Sequence, residues 1–144
     1  MVNYKNSSIL YFLFIFFIST PFPQKSLTVE ISKVNSEKGN LLLSLYETET
    51  SFKNFKPDKY VVIKAKKGLV QFTFQNLDKS LYAIGILHDL NGNLLMDKNF
   101  FGWPKEGFGF SKDALGKFGP PSFNQAGIIL ESKSTLAKIT MKYL

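Results

Sequence analysis

The chain has 144 residues, 44% hydrophobic and 15% aromatic, with 18 basic residues against 11 acidic ones and no cysteine. That composition is too apolar and too aromatic for a disordered tail, lacks heptads and Gly-X-Y repeats, and fits one domain. All the basic residues are lysines, and without arginine for bidentate contacts to guanine and phosphate no nucleic-acid partner is expected.

Lys5 gives the N-terminus a positive start, and Ile9 to Ile18 (ILYFLFIFFI) is an unbroken apolar run. It is shorter than the roughly 20 residues of a membrane span and suits the core of a secretory signal. Ser19, Thr20 and Pro21 break it. Residues 1–25 are therefore expected to be a signal peptide, and 26–144 an exported domain, secreted or periplasmic, with no transmembrane segment after cleavage. The alternative is an uncleaved anchor, because no A-x-A-like pair marks the cleavage site. With no cysteine there is no lipoprotein anchor and no disulfide, and one histidine cannot build a zinc site of several His and Cys ligands.

Leu27, Val29 and Ile31 alternate with polar residues, the period of a half-buried strand. Asn35 to Asn40 (NSEKGN) is a turn, and Leu41 to Tyr46 a second strand. Glu47 to Pro57 has room for one helical turn. Tyr60 to Ala65 and Leu69 to Phe74 are strands around a turn at Lys66-Lys67-Gly68. Lys64, Lys66 and Lys67 read as a solvated strand face, against an anionic-surface patch as the alternative. Asn76 to Ser80 turns into Leu81 to Leu87, the most apolar segment, expected as a central strand. Ala126 to Leu130 and Leu136 to Tyr143 complete the set. No window of helical length shows helical periodicity. About seven short strands with regular turn signals predict an all-β fold, a single antiparallel β-sandwich, interrupted by one long loop over 89–125.

That loop carries the chemistry. Asp89, Asn91, Asn93 and Asp97 present side-chain oxygens at short intervals, and the Leu95 carbonyl could join them. Hard cations such as Ca²⁺ take oxygens of this kind, and two carboxylates with two amides suggest weak affinity, on the order of 10⁻⁴–10⁻³ M. The spacing is not that of an EF-hand: Leu94 occupies the sixth position and Phe100 the twelfth, where Gly and Glu are required. The competing reading is a set of Asx turns, in which Asp and Asn bond their own main chain. His88, the lone histidine, could act as a general base oriented by Asp89 or Glu106; as a strand-end residue it could equally bond loop backbone. Trp103, Phe108 and Phe110 are candidates for a ligand-stacking platform, or for a cap over the end of the sandwich. Gly107 and Gly109 are expected to supply conformational freedom for a tight path. No GxSxG or Walker loop is present.

The stretch YAIGILHDLNGNLLMDKNFFGWPKEGFGFS, followed by GPPSFNQA, resembles the DUF2141 family of uncharacterised exported bacterial proteins. The likeness rests on His88, Asp89, Asn91, Asn93 and Asp97, on Phe101, Gly102, Pro104, Glu106, Gly107, Gly109, Phe110 and Ser111, and on Pro120, Pro121, Phe123 and Ala126. One position departs from the family pattern: Leu94 stands where a Gly is usual. The resemblance implies an Ig-like or transthyretin-like sandwich and no assigned activity. The function expected is a non-enzymatic exported protein that binds a ligand, an envelope protein or a glycan, its loop ordered by Ca²⁺. The alternative is a secreted hydrolase using His88 with Asp89 or Glu106.

Overall fold

The computed structural model describes residues 24–117 and 119–144. The signal segment expected over 1–25 lies outside these, apart from its last two residues. Among the described residues eight strands form two sheets. In chain order they are β1 (Lys25–Val34), β2 (Asn40–Tyr46), β3 (Lys59–Lys64), β4 (Gly68–Leu77), β5 (Leu81–Asp89), β6 (Gly107–Phe110), β7 (Ile128–Ile129) and β8 (Ser134–Thr140). One sheet has the order β4-β1-β8. The other runs β3-β2-β5-β6, with β7 also paired to β5. The fold is the expected all-β sandwich. Its pairs are antiparallel except one: β1 and β8 run parallel, Ser26 beside Ser134 through Ser32 beside Thr140.

The core lies between the sheets. Leu27, Val29 and Ile31 of β1 meet Leu41, Leu43 and Leu45 of β2 and Tyr82, Ile84 and Ile86 of β5, all buried. Burial of each such side chain contributes about 1.5–3 kcal/mol. The unbroken apolar run of β5 has a simple cause: both its faces are covered. Even-numbered residues face the opposite sheet. On the other face Ala83 joins Tyr46, Phe52, Phe123 and Ala126 in a second buried cluster. The lids of that cluster are two short helices, α1 (Glu49–Lys53) and α2 (Phe123–Ala126). Each starts with a capping box, Thr48 with Ser51 and Ser122 with Gln125, which satisfies N–H groups that a helix start leaves free.

Three expectations fail here. Residues 89–125 are not a strandless loop: they hold β6, a 3-10 turn at Ser111–Asp113 and α2. Ala126 closes α2 rather than opening a strand, so β7 shrinks to two residues. Gly107 and Gly109 are also there for another reason. Neither adopts a positive φ. A Cβ on Gly107 would collide with the Tyr143 ring, and one on Gly109 would stand 2.8 Å from Ile139 Cγ2. Glycine lets β6 lie against the C-terminal segment, where Phe108 and Lys142 exchange backbone hydrogen bonds of 3.0 and 2.8 Å.

Candidate functional site

The site grows from the end of β5. In a strand, neighbours project to opposite faces, so His88 and Asp89 part company. His88 turns toward the core and is fully buried. Its Nε2 lies 2.8 Å from the Lys38 carbonyl and its Nδ1 2.8 Å from the Tyr143 hydroxyl. The carbonyl can only accept, which places the ring proton on Nε2. Nδ1 of a neutral ring then accepts from the Tyr143 O–H, whose oxygen accepts the Asn35 N–H at 3.1 Å. Burial pushes the Tyr143 phenol above its ordinary 10.0, the Asn35 N–H pulling the other way. His88 bonds neither Asp89 nor Glu106; both its nitrogens serve to hold the C-terminal segment and the β1–β2 turn.

Asp89 is 0% exposed and points into the loop that follows. Its Oδ1 accepts from Gly92 N–H at 2.7 Å and Asn93 N–H at 3.2 Å, and its Oδ2 from Leu94 N–H at 2.9 Å. Glu106, 4% exposed, stands at the far end of the loop just before β6. Its Oε1 accepts from Leu90 N–H at 2.8 Å and its Oε2 from Asp97 N–H at 3.1 Å. Two buried carboxylates thus bind five main-chain N–H groups. Charge-assisted bonds of this kind are shorter and stronger than neutral ones, and burial without them would be costly.

The remaining oxygens point the same way. Asn91 Oδ1 accepts Asn93 N–H at 3.1 Å, and Asn93 Oδ1 accepts Leu95 N–H at 2.8 Å. The Asn91 and Asn93 amides donate to the two oxygens of Asp97, at 2.6 and 3.2 Å. The oxygens expected to meet at a cation are directed onto N–H groups, as a nest of Asx turns directs them. Leu94 adopts φ +60° within it. That backbone explains why a glycine would be at home at the one position that departs from the family pattern.

Beyond the nest the chain doubles back. Lys98 pairs with Pro104, and Lys105 N–H donates to the Asp97 carbonyl at 2.8 Å. The tip between, residues 99–103, is organised by Asn99, whose Oδ1 accepts Phe101 N–H at 2.9 Å and Trp103 N–H at 3.0 Å. Its apolar side chains face outward: Phe100 is 98% exposed, Phe101 80% and Trp103 60%. Phe108 and Phe110 stand 6.2 Å apart on β6, Phe110 packing 5.8 Å from Phe52 of the outer cluster. The expected trio is therefore split between the tip and the sheet.

Several contributors escaped the sequence reading. Asn99 sits two residues before Phe101, the spacing of an Asx motif. The alternation of Gly107, Phe108, Gly109 and Phe110 is a period-2 signal hidden by its glycines. Ser111, fully buried, accepts Ile84 N–H at 2.9 Å and donates to the Ala126 carbonyl, joining β5 to α2. Tyr143 offered no local signal, since its partners are 55 and 108 residues away.

Among the described residues no group of three or more His, Cys, Asp and Glu side chains is placed to hold a metal, and no helix is long and apolar enough to cross a membrane. A family model described as "Uncharacterized protein conserved in bacteria (DUF2141)" matches residues 29–138. No curated protein and no solved structure matches the chain.

Proposed function

The chain belongs to the DUF2141 family, and from that premise we propose that it is an exported, non-catalytic β-sandwich that works by binding, presenting its 89–106 loop to a ligand or an envelope partner. The apolar run at Ile9–Ile18 behind Lys5 supports export. One contrast carries the rest. The groups equipped for chemistry, His88, Asp89 and Glu106, are buried and hydrogen-bonded to main chain and to Tyr143. The groups equipped for contact, Phe100, Phe101 and Trp103, face solvent. A general base needs a free lone pair within reach of a substrate, whereas a rigid apolar tip is preorganised for recognition.

The test compares the exported protein with F100S/F101S on a glycan array and against envelope extract. Retention of a partner by the first and not by the second is the expected result. A hydrolysis of esters, glycosides or peptides that His88→Ala abolishes with the fold intact would replace binding with catalysis.

Ca²⁺ is the alternative source of the loop's order. At Asp97 it would compete with the Asn91 and Asn93 amides. At ten times Kd a single site adds about 1.4 kcal/mol to stability. A melting temperature raised by millimolar Ca²⁺ and insensitive to it in Asp97→Asn would establish the metal. Unchanged melting in both proteins would leave the loop clamped by its own hydrogen bonds.

A further inference from the structure

Resting on that binding reading, we infer that the partner of the loop tip is a lipid bilayer surface carrying anionic headgroups. The tip has the construction that an interface of water and hydrocarbon demands. Its apolar side chains point out, Phe100 almost wholly exposed and Phe101 and Trp103 largely so. Exposed aromatics on this scale mark interaction surfaces, and Trp favours the headgroup level of a membrane. Four of its five main-chain N–H groups, all but that of Phe100, are satisfied from within. Asn99 N–H donates to the Trp103 carbonyl at 2.8 Å and Gly102 N–H to the Asn99 carbonyl at 2.9 Å, while Asn99 Oδ1 takes the N–H groups of Phe101 and Trp103. A segment that leaves water without partners for its N–H groups forfeits several kcal/mol per group; this tip carries partners for four of its five.

The charge around the tip fits the same surface. Lys98 and Lys105, both exposed, stand where its two arms pair. The sheet register gathers further lysines at this end of the sandwich. Asp89 pairs with Asn40, and Asn40 with Lys64. Lys66 and Lys67 follow in the turn to Gly68, which pairs with Val34. Lys38 lies in the β1–β2 turn, its carbonyl on His88. Against these exposed lysines stands Glu37; Asp89 and Glu106 are buried and bound to N–H groups, and Asp97 is engaged by two amides. Of the 18 lysines, those around the tip thus form a basic collar with few opposing acids, in a chain of net charge +7. Apolar contact and electrostatic attraction to anionic lipid together set the strength of interfacial binding, and a lysine near such a surface contributes about fivefold in partition. The Lys64–Lys67 cluster, read from sequence as a solvated face, acquires a role from lying at the end of the sandwich from which the loop springs.

Trp103 is the one tryptophan of the chain, so its emission reports the tip alone. The exported protein is titrated with phosphatidylcholine vesicles and with vesicles containing phosphatidylglycerol, with and without brominated acyl chains. The expected result is a blue shift and bromine quenching with phosphatidylglycerol, weakened by salt and slight with phosphatidylcholine. Partition falls about tenfold for each Phe removed in F100S/F101S and about fivefold per lysine in K98Q/K105Q, with melting temperatures unchanged. Emission unaltered at millimolar lipid overturns the inference. So does vesicle binding that leaves Trp103 unshifted and is equal in F100S/F101S, because another surface is then responsible. Inert vesicles combined with loop-dependent capture of a glycan or a protein overturn the lipid partner and leave the binding reading standing.

Discussion

Replacing Glu106 by Gln keeps the side chain's size and removes half of what its carboxylate does. Oε1 and Oε2 each accept one main-chain N–H, from Leu90 and from Asp97, so Glu106 holds both ends of the Asx nest against the first residue of β6. Hydrogen bonds to a charged acceptor contribute about 1.5–3 kcal/mol each. Gln keeps one acceptor, now neutral, and turns its NH₂ toward the other N–H, donor against donor. Relief of the cost of burying a charge offsets part of that loss. The balance is a destabilisation of about 2 kcal/mol for Glu106→Gln, and about 3–4 kcal/mol for Glu106→Ala, which leaves both N–H groups without an acceptor. In a domain of this size about 1 kcal/mol moves the melting temperature by roughly 4 °C, so the two variants should melt about 8 and 14 °C lower. Thermal unfolding by circular dichroism measures the fall. Amide exchange assigns it: Leu90 and Asp97 should lose protection in Glu106→Gln, while Gly92 and Leu94, bound to Asp89, keep theirs. If Glu106→Ala melts within about 2 °C of the wild type, or the Asp97 amide stays protected, the carboxylate does not hold the loop and the reasoning is wrong.

Three further outcomes follow from the same geometry. Leu94, at φ +60°, should make Leu94→Gly more stable than Leu94→Ala by about 1 kcal/mol, since only glycine sheds the left-handed strain; equal denaturation midpoints would contradict this. Gly39 sits at φ +72°, and a notional Cβ there would collide with the Asp89 carbonyl oxygen and stand 2.7 Å from Leu90 Cα, so Gly39→Ala should cost at least about 2–3 kcal/mol, from the forced shift added to the backbone strain, and chemical denaturation checks it. Burial raises the Tyr46, Tyr82 and Tyr143 phenols above 10.0. The folded chain therefore holds more protons than the unfolded one above pH 10, and their contribution is complete below pH 10 and lost as pH rises past it. Melting temperature should fall through that range, less steeply in Tyr143→Phe than in the wild type, and parallel slopes would refute a role for Tyr143.

The elements legible in the sequence were those whose burial leaves a local mark. Leu27, Val29 and Ile31 announced β1 because one face is buried and the other is not. Leu81 to Leu87 announced a central strand because both faces are covered, by the opposite sheet and by the helix-capped cluster of Phe52 and Phe123. β6 stayed hidden because its inward positions are glycines, and what they make room for, Tyr143 and Ile139, lies about 30 or more residues downstream. The parallel pairing of β1 with β8 has no local signature at all. The nest was legible as residues and ambiguous as structure. Asp and Asn at alternate positions serve a cation and a turn equally, and the difference lies in where the backbone N–H groups point. Phe100 and Phe101 lie in the same run of aromatics as Phe110, and nothing local marks them as the exposed ones, while Phe110 packs on Phe52.

The place of β1 between β4 and β8 has a consequence for how the chain is made. Among the described residues, the first strand in chain order is the middle one of its sheet, and its neighbour on one flank follows only about a hundred residues later. Until then seven aligned positions of its backbone stand as an open edge, an invitation to any other extended segment nearby. Assembly governed by so distant a pairing is slow, and a message truncated before Ser134 would yield a product that no amount of waiting completes. That edge is closed only when β8 itself has formed and paired.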